Sequence, residues 1–129
     1  MRLNALAWSK TVRGDDTSIV FQPVGNFLVV PLQGPVHEEL LVNLGDDLLD
    51  YIGEFQPKGV ILDMAGIQVL DKHDFESLTS LIKSAELLGP AVVLSSVQPG
   101  VAAGLTMLNV DFSSIRATRT VEQAMALLR

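Results

Sequence analysis

Gly59-Val-Ile-Leu-Asp-Met-Ala-Gly-Ile-Gln-Val-Leu-Asp-Lys-His-Asp74 is the stretch that decides how the chain folds. Val60-Ile61-Leu62 is a short, continuous apolar run, the pattern of a strand covered on both faces rather than on one. A loop follows. Asp71 then stands where a helix wants its N-cap, with Asp74 three positions later in a capping-box-like arrangement. Phe75, Leu78, Leu81, Ile82, Ala85 and Leu88 recur at three- and four-residue steps. They predict a helix from Asp71 to about Leu88, ended by Gly89-Pro90.

The same alternation continues on both sides. Downstream, Ala91-Val-Val-Leu94 reads as a second buried strand and Ser95-Ser96-Val97-Gln98 as a loop. Pro99 suits the first turn of a helix that turns Val101, Leu105 and Leu108 inward and ends near Asn109. Ser113 to Arg116 predicts a last short strand, and Thr120-Val-Glu-Gln123 is a capping box for a final helix through Leu128. Upstream, Leu40, Leu44, Leu48, Tyr51, Ile52 and Phe55 predict a helix over 37–55, stopped by Gln56-Pro57-Lys58-Gly59. Before it, Ser18 to Pro23 and Gly25 to Leu32 are rich in β-branched and aromatic residues and read as a hairpin with its turn at Gly25-Asn26. Pro31 should end the second strand or sit where no ladder donor is needed. Residues 1–17 form an expected N-terminal extension, with a short strand around Trp8 and a turn at Gly14-Asp15-Asp16-Thr17; residues 18–129 form one domain. Strands alternating with helices imply an α/β fold: a mostly parallel mixed sheet with an N-terminal hairpin and four helices.

Composition narrows the function. The chain has 129 residues, 48% of them hydrophobic, and no cysteine, which excludes disulfides, thiolate metal sites and cysteine nucleophiles. Net charge is -6, and from Asp15 to Glu54 there are eight acidic residues with no lysine or arginine. Phosphate binding needs clustered cations, so nucleic acid and anionic lipid are disfavoured partners. Two readings of the acidic segment stand: a solvated helix face, or a surface for a basic partner. No apolar run approaches the roughly 20 residues of a membrane span, and the first ten residues lack a signal-peptide core, so a cytoplasmic protein without direct membrane insertion is expected.

No catalytic constellation stands out. Gly59, Gly66, Gly89, Gly100 and Gly104 have neither phosphate-loop nor dinucleotide spacing. His37 and His73, the only histidines, lie in no metal-ligating pattern. Capping accounts for Asp71 and Asp74, and there is no nucleophile elbow. What remains is the site geometry of an open α/β sheet, in which ligands and partners approach the carboxyl ends of the parallel strands. Two loops belong there, Asp63 to Asp74 and Ser95 to Pro99, and they become neighbours if their strands are adjacent.

From about Ser18 to Arg129 the chain resembles STAS domains, the anti-sigma-factor antagonist family. The resemblance rests on Gly59-Val-Ile-Leu-Asp63, Leu70-Asp71, Leu87-Leu88-Gly89, Val92-Val-Leu94, Gln98-Pro99-Gly-Val-Ala102 and Thr120-Val-Glu-Gln-Ala-Met-Ala126 in this order. The stretch from Gln98 to Ala102 is most similar to the small STAS proteins of bacterial stressosomes, which work beside a larger STAS scaffold and a switch kinase. The resemblance implies a non-enzymatic, cofactor-free and metal-free regulatory module that docks on a GHKL-type serine kinase or an anti-sigma factor. It also implies that partners meet Asp63, Asp71, Lys72, His73, Asp74, Ser95 and Ser96. In that family the residue after the second aspartate is usually a serine or threonine that the kinase phosphorylates; here it is Lys72, which forms no phosphoester. Ser95 matches a second position where some stressosome relatives carry a phosphorylated threonine. It reads either as a remaining switch or, with Ser96, as a residue that satisfies loop backbone before Pro99. The family leaves two other roles open: a scaffold subunit assembling with itself or with larger STAS proteins, and a transporter-associated module.

Overall fold

A computed structural model of the protein describes residues 11–13 and 18–129. Along the chain run β1 (Thr11–Arg13), β2 (Ser18–Val20), β3 (Gln22–Val24), β4 (Phe27–Gln33), α1 (Glu38–Phe55), β5 (Gly59–Gly66), α2 (Lys72–Leu87), β6 (Ala91–Ser95), α3 (Pro99–Met107), β7 (Ala117–Thr118) and α4 (Val121–Leu128). Five strands pair in the order β3-β4-β5-β6-β7. β3 is antiparallel to β4, and every later pairing is parallel. The expected mixed sheet with a leading hairpin and four helices is therefore the observed one.

The continuous apolar runs are explained by what lies on each side of the sheet. Leu28 and Val30 of β4, Val60 and Leu62 of β5, and Val92 and Leu94 of β6 point into the larger core under α1 and α2. Their sequence neighbours Val29, Ile61 and Val93 point the other way and pack with Ala124 of α4. Side chains alternate across a strand, so covering both faces demands apolar residues at every position. α1 contributes Leu40, Leu44, Leu48 and Ile52 to the larger core, one turn after another. Tyr51 closes it at one end, edge-on to Phe21 with ring centroids 5.5 Å apart.

The boundaries differ from expectation in three places, and Pro31 takes the second of its two readings. The strand read over Ser18 to Pro23 is divided: β2 pairs with β1 in a separate two-stranded ribbon, and β3 joins the main sheet. Phe21, between them, is fully buried, and sending its ring into the core turns the chain from one ribbon to the other. Pro31 does not end β4, which continues to Gln33. β3 stops pairing at Val29, so no donor is wanted from Pro31 on that side, and the ladder to β5 shifts register just after it. β5 runs on to Gly66, past the apolar run: Asp63 pairs with Pro31 on one side and Ser95 on the other, and beyond it β4 alone holds the strand, through Gln33↔Gly66. The last strand is Ala117–Thr118 rather than 113–116; Ile115 packs against the core instead of joining the ladder. The expected strand around Trp8 and the turn at 14–17 lie outside the described residues.

Two glycines mark close approaches. A Cβ on Gly66 would stand 2.7 Å from the Leu32 carbonyl oxygen, where β4 and β5 meet after the register shift. A Cβ on Gly59 would stand 2.6 Å from Leu128 Cδ1, the end of a flexible side chain at the close of α4. Gly66→Ala is expected to cost about 1–3 kcal/mol, because backbone cannot step aside. Gly59→Ala should cost clearly less, because Leu128 can change rotamer. Urea midpoints of the two variants check the order, and equal losses would mean that β4 and β5 separate more easily than their register suggests.

Candidate functional site

The carboxyl ends of β5 and β6 lie side by side, with Asp63 paired in register to Ser95. The two loops that leave these ends are joined directly: the Gln98 side-chain amide donates to the Ala65 carbonyl at 2.6 Å. The neighbourhood expected for the segments 63–74 and 95–99 is thus present. The sequence marks Gln98 as part of a motif and not as a site residue; its place before Pro99, as N-cap of α3, is the signal that marks it.

Within the first loop, Asp63 is half-buried and its Oδ1 accepts from the Ala65 amide at 3.0 Å, which fixes the turn out of β5. Asp71 caps α2: its Oδ1 accepts from the Asp74 amide at 2.8 Å. This satisfies one of the amides that open a helix without an intrahelical partner. Lys72 is the first residue of α2, and both it and His73 are exposed. Asp74 is half-buried. Desolvation raises its pKa above the ordinary carboxylate value, helped by the nearby Asp71 carboxylate and a hydrogen bond to it, while His73 and His37 pull the other way. His37 is the N-cap of α1.

Beside the capped turn is an open depression of about 400 Å³ lined by Gly34, Pro35, Gly66, Gln68 and Val69. Val69 is 80% exposed, an apolar side chain standing on the rim. Its position one residue before buried Leu70 gave no warning of this, since Ile67, Val69 and Leu70 look alike in sequence.

The second loop differs in character. Ser95 is fully buried, and its hydroxyl has no hydrogen-bond partner among the described residues. Ser96 is half-buried with a positive φ of 61°, and its amide donates to the Thr118 carbonyl at 3.1 Å. The two serines therefore do not present themselves alike: Ser95 is interior, whereas Ser96 makes the bend out of β6. Among the described residues no group of three histidine, cysteine, aspartate or glutamate side chains could hold a metal ion, and no helix is long and apolar enough to cross a membrane. The site is a surface of turns and helix starts.

A family model described as the STAS domain matches residues 18–124. The RsbT co-antagonist protein RsbRD of Bacillus subtilis (strain 168) is 22% identical over 98 residues, which are 76% of this chain and 35% of that protein. The chain thus spans about a third of the length of the first curated relatives it matches. The structure of a serine-to-glutamate variant of RsbS from Moorella thermoacetica superposes with a TM-score of 0.72 at 24% identity, covering 85% of this chain and 93% of that one. The anti-sigma factor antagonist SpoIIAA of Bacillus, in its unphosphorylated form, superposes with a TM-score of 0.67 at 13% identity, covering 86% and 96%. At these identities the two structures establish a shared fold.

Two sets of variants test the geometry. Asp71→Ala is expected to cost about 1 kcal/mol through the lost cap, and Asp71→Asn much less, because an amide oxygen still accepts. Both should lower the Asp74 pKa without returning it to the ordinary value, since desolvation remains. The folded protein holds the Asp74 proton more tightly than the unfolded chain does, so this group is unfavourable at neutral pH. That penalty is relieved as pH falls through its folded pKa. Thermal unfolding and carboxyl-carbon NMR titration measure both effects; an unmoved Asp74 would show that it does not feel Asp71. At the other loop, Ser95→Ala should keep or raise the unfolding midpoint. Ser95→Asp should lower it strongly, by about 3–5 kcal/mol, because it buries an uncompensated charge; a well-tolerated Ser95→Asp would mean that the end of β6 opens readily.

Proposed function

Because the chain belongs to the STAS-domain family, we propose that it is a regulatory binding module of the anti-sigma-factor-antagonist and stressosome kind, which acts by contact and not by catalysis. The observation that carries this reading is the capped turn 70–74 at the carboxyl end of β5. There Asp71 fixes the helix start and Lys72 stands exposed beside it. The partner is a GHKL-type kinase or an anti-sigma factor, and the face it meets comprises Asp63, the turn Asp71 to Asp74, and the bend at Ser96.

Lys72 occupies the place of the usual phosphoacceptor, so the ordinary switch is missing and binding is constitutive at this position. Phosphorylation there would add about -1.5 to -2 charges to a helix N-terminus; lysine instead holds a fixed positive charge. Ser95 serves as a remaining switch only if the end of β6 opens, because its hydroxyl is interior. The similarity to RsbRD and to RsbS supports a place among stressosome components, beside larger STAS proteins.

The test is capture of partners by the purified protein from lysate of its source cells, with mass spectrometry of bait and captured chains. A GHKL-type kinase or a larger STAS protein is expected; recovery of the protein alone would favour self-assembly, and of transporter subunits a transporter role. Lys72→Ser should leave the unfolding midpoint nearly unchanged, because the site is a solvent-facing helix start. Lys72→Glu should weaken capture more than Glu38→Lys does, and equal effects would move the contact to α1.

A further inference from the structure

Beneath the capped turn lies a cavity of about 170 Å³ that the contact surface does not use. Met64 of β5, Leu70 and Phe75 around the start of α2, and Leu105 of α3 form its inner wall; Ala102 and Phe112 flank the mouth. Every residue that lines it is apolar. A water molecule needs two to four polar partners to be held in such a space, and these side chains offer none. An apolar cavity of about 150 Å³ engineered into another protein takes up benzene or xenon. Here a space of similar size is native and reaches the surface, since Ala102 is exposed and Phe112 is 40% exposed.

The cavity persists because three separate elements hold its walls. The sheet fixes Met64, α2 fixes Phe75 and α3 fixes Leu105, each by its own buried contacts. Phe112 closes over the mouth from the segment between α3 and β7, stacked edge-on to Phe75 with centroids 5.6 Å apart. That segment is largely exposed and belongs to no strand or helix.

We propose that this cavity is a binding site for one small apolar molecule about the size of benzene, admitted past Phe112. The occupant replaces dispersion contacts that the lining side chains lack when they face empty space. It touches Leu70 and Phe75, which bracket Asp71 to Asp74, so filling the cavity stiffens the turn from below. The binding proposal rests on the cavity alone and is independent of which partner the surface meets.

The experiment titrates benzene into the full chain and follows carbon-13 methyl signals by NMR. Saturable shifts at Met64, Leu70 and Leu105 are expected, with smaller ones elsewhere. Ala102→Phe fills the mouth from an exposed position and should abolish these shifts while the circular-dichroism spectrum is kept. Ala117→Leu, at another exposed lining position, is the second variant should the first misfold. Absence of saturable shifts in the parent protein overturns the proposal, as does their persistence in a folded filled variant. Capture of a protein partner that depends on Ala102, with no response to benzene, would also overturn it and assign the cavity to an anchoring side chain.

Discussion

Burial of β5 on both faces is the constraint from which the rest of the structure follows. Val60 and Leu62 are covered from one side and Ile61 from the other, all fully buried. Such a strand has no solvent to satisfy its amides and carbonyls, so it requires a ladder on each edge. β4 and β6 supply those ladders in parallel register. Parallel neighbours require crossovers, and the crossovers are α1 and α2, which cover the same face and pack against each other. The opposite face is left for α4, whose Ala124 is fully buried against Val29, Ile61 and Val93. Gly59 belongs to this constraint too, since the start of β5 runs so close beneath Leu128 that a methyl group there meets its side chain.

Parallel order also determines where contact surface arises. All carboxyl ends point one way, so the loops after β4, β5 and β6 gather at one edge. Gln98 ties two of them together, and Asp71 gives the second a defined helix start. Lys72 then sits in the first turn, where a cation opposes the helix dipole by roughly 0.3–1 kcal/mol. Asp71 and Asp74 lie on either side of it in sequence, and acids at a helix start suit the dipole. Desolvation, with the neighbouring Asp71 carboxylate, raises the pKa of Asp74. The turn holds charges of both signs close together on a surface that is otherwise acidic, which gives a partner a specific electrostatic pattern to read.

Much of this was legible from residue order because local and tertiary demands agree. The apolar stripes of α1 and α2, the Asp71 cap and the Thr120 capping box each have one reading, and Thr120 Oγ1 does accept from the Gln123 amide at 3.0 Å. Legibility failed where a residue serves the core and not its own ladder. Phe21 splits an apparent strand by turning inward, and Ile115 leaves the strand period to join the core. Pro31 has two readings in sequence, a strand end or a site where no donor is wanted, and the choice depends on β3 pairing no further along β4 than Val29. Within the candidate site, the capped turn could be read from Asp71 and Asp74. The difference between Ser95 and Ser96 could not, because it depends on which of two adjacent serines completes the ladder to β7.

That difference bears on how a module of this kind can be regulated. A phosphoacceptor at a helix start is exposed by construction, since the first turn projects beyond the strands, and a modification there changes a partner's view without touching the core. An acceptor at the last residue of a buried strand is coupled to the fold itself: a charge at Ser95 meets desolvation before it meets any partner. Lys72, exposed at the start of α2, forms no phosphoester, and what lies under the turn is packing. The support is apolar, through Leu70 and Phe75, and both side chains border the cavity beneath. A contact that reached this turn by packing instead of by charge would act through those two side chains.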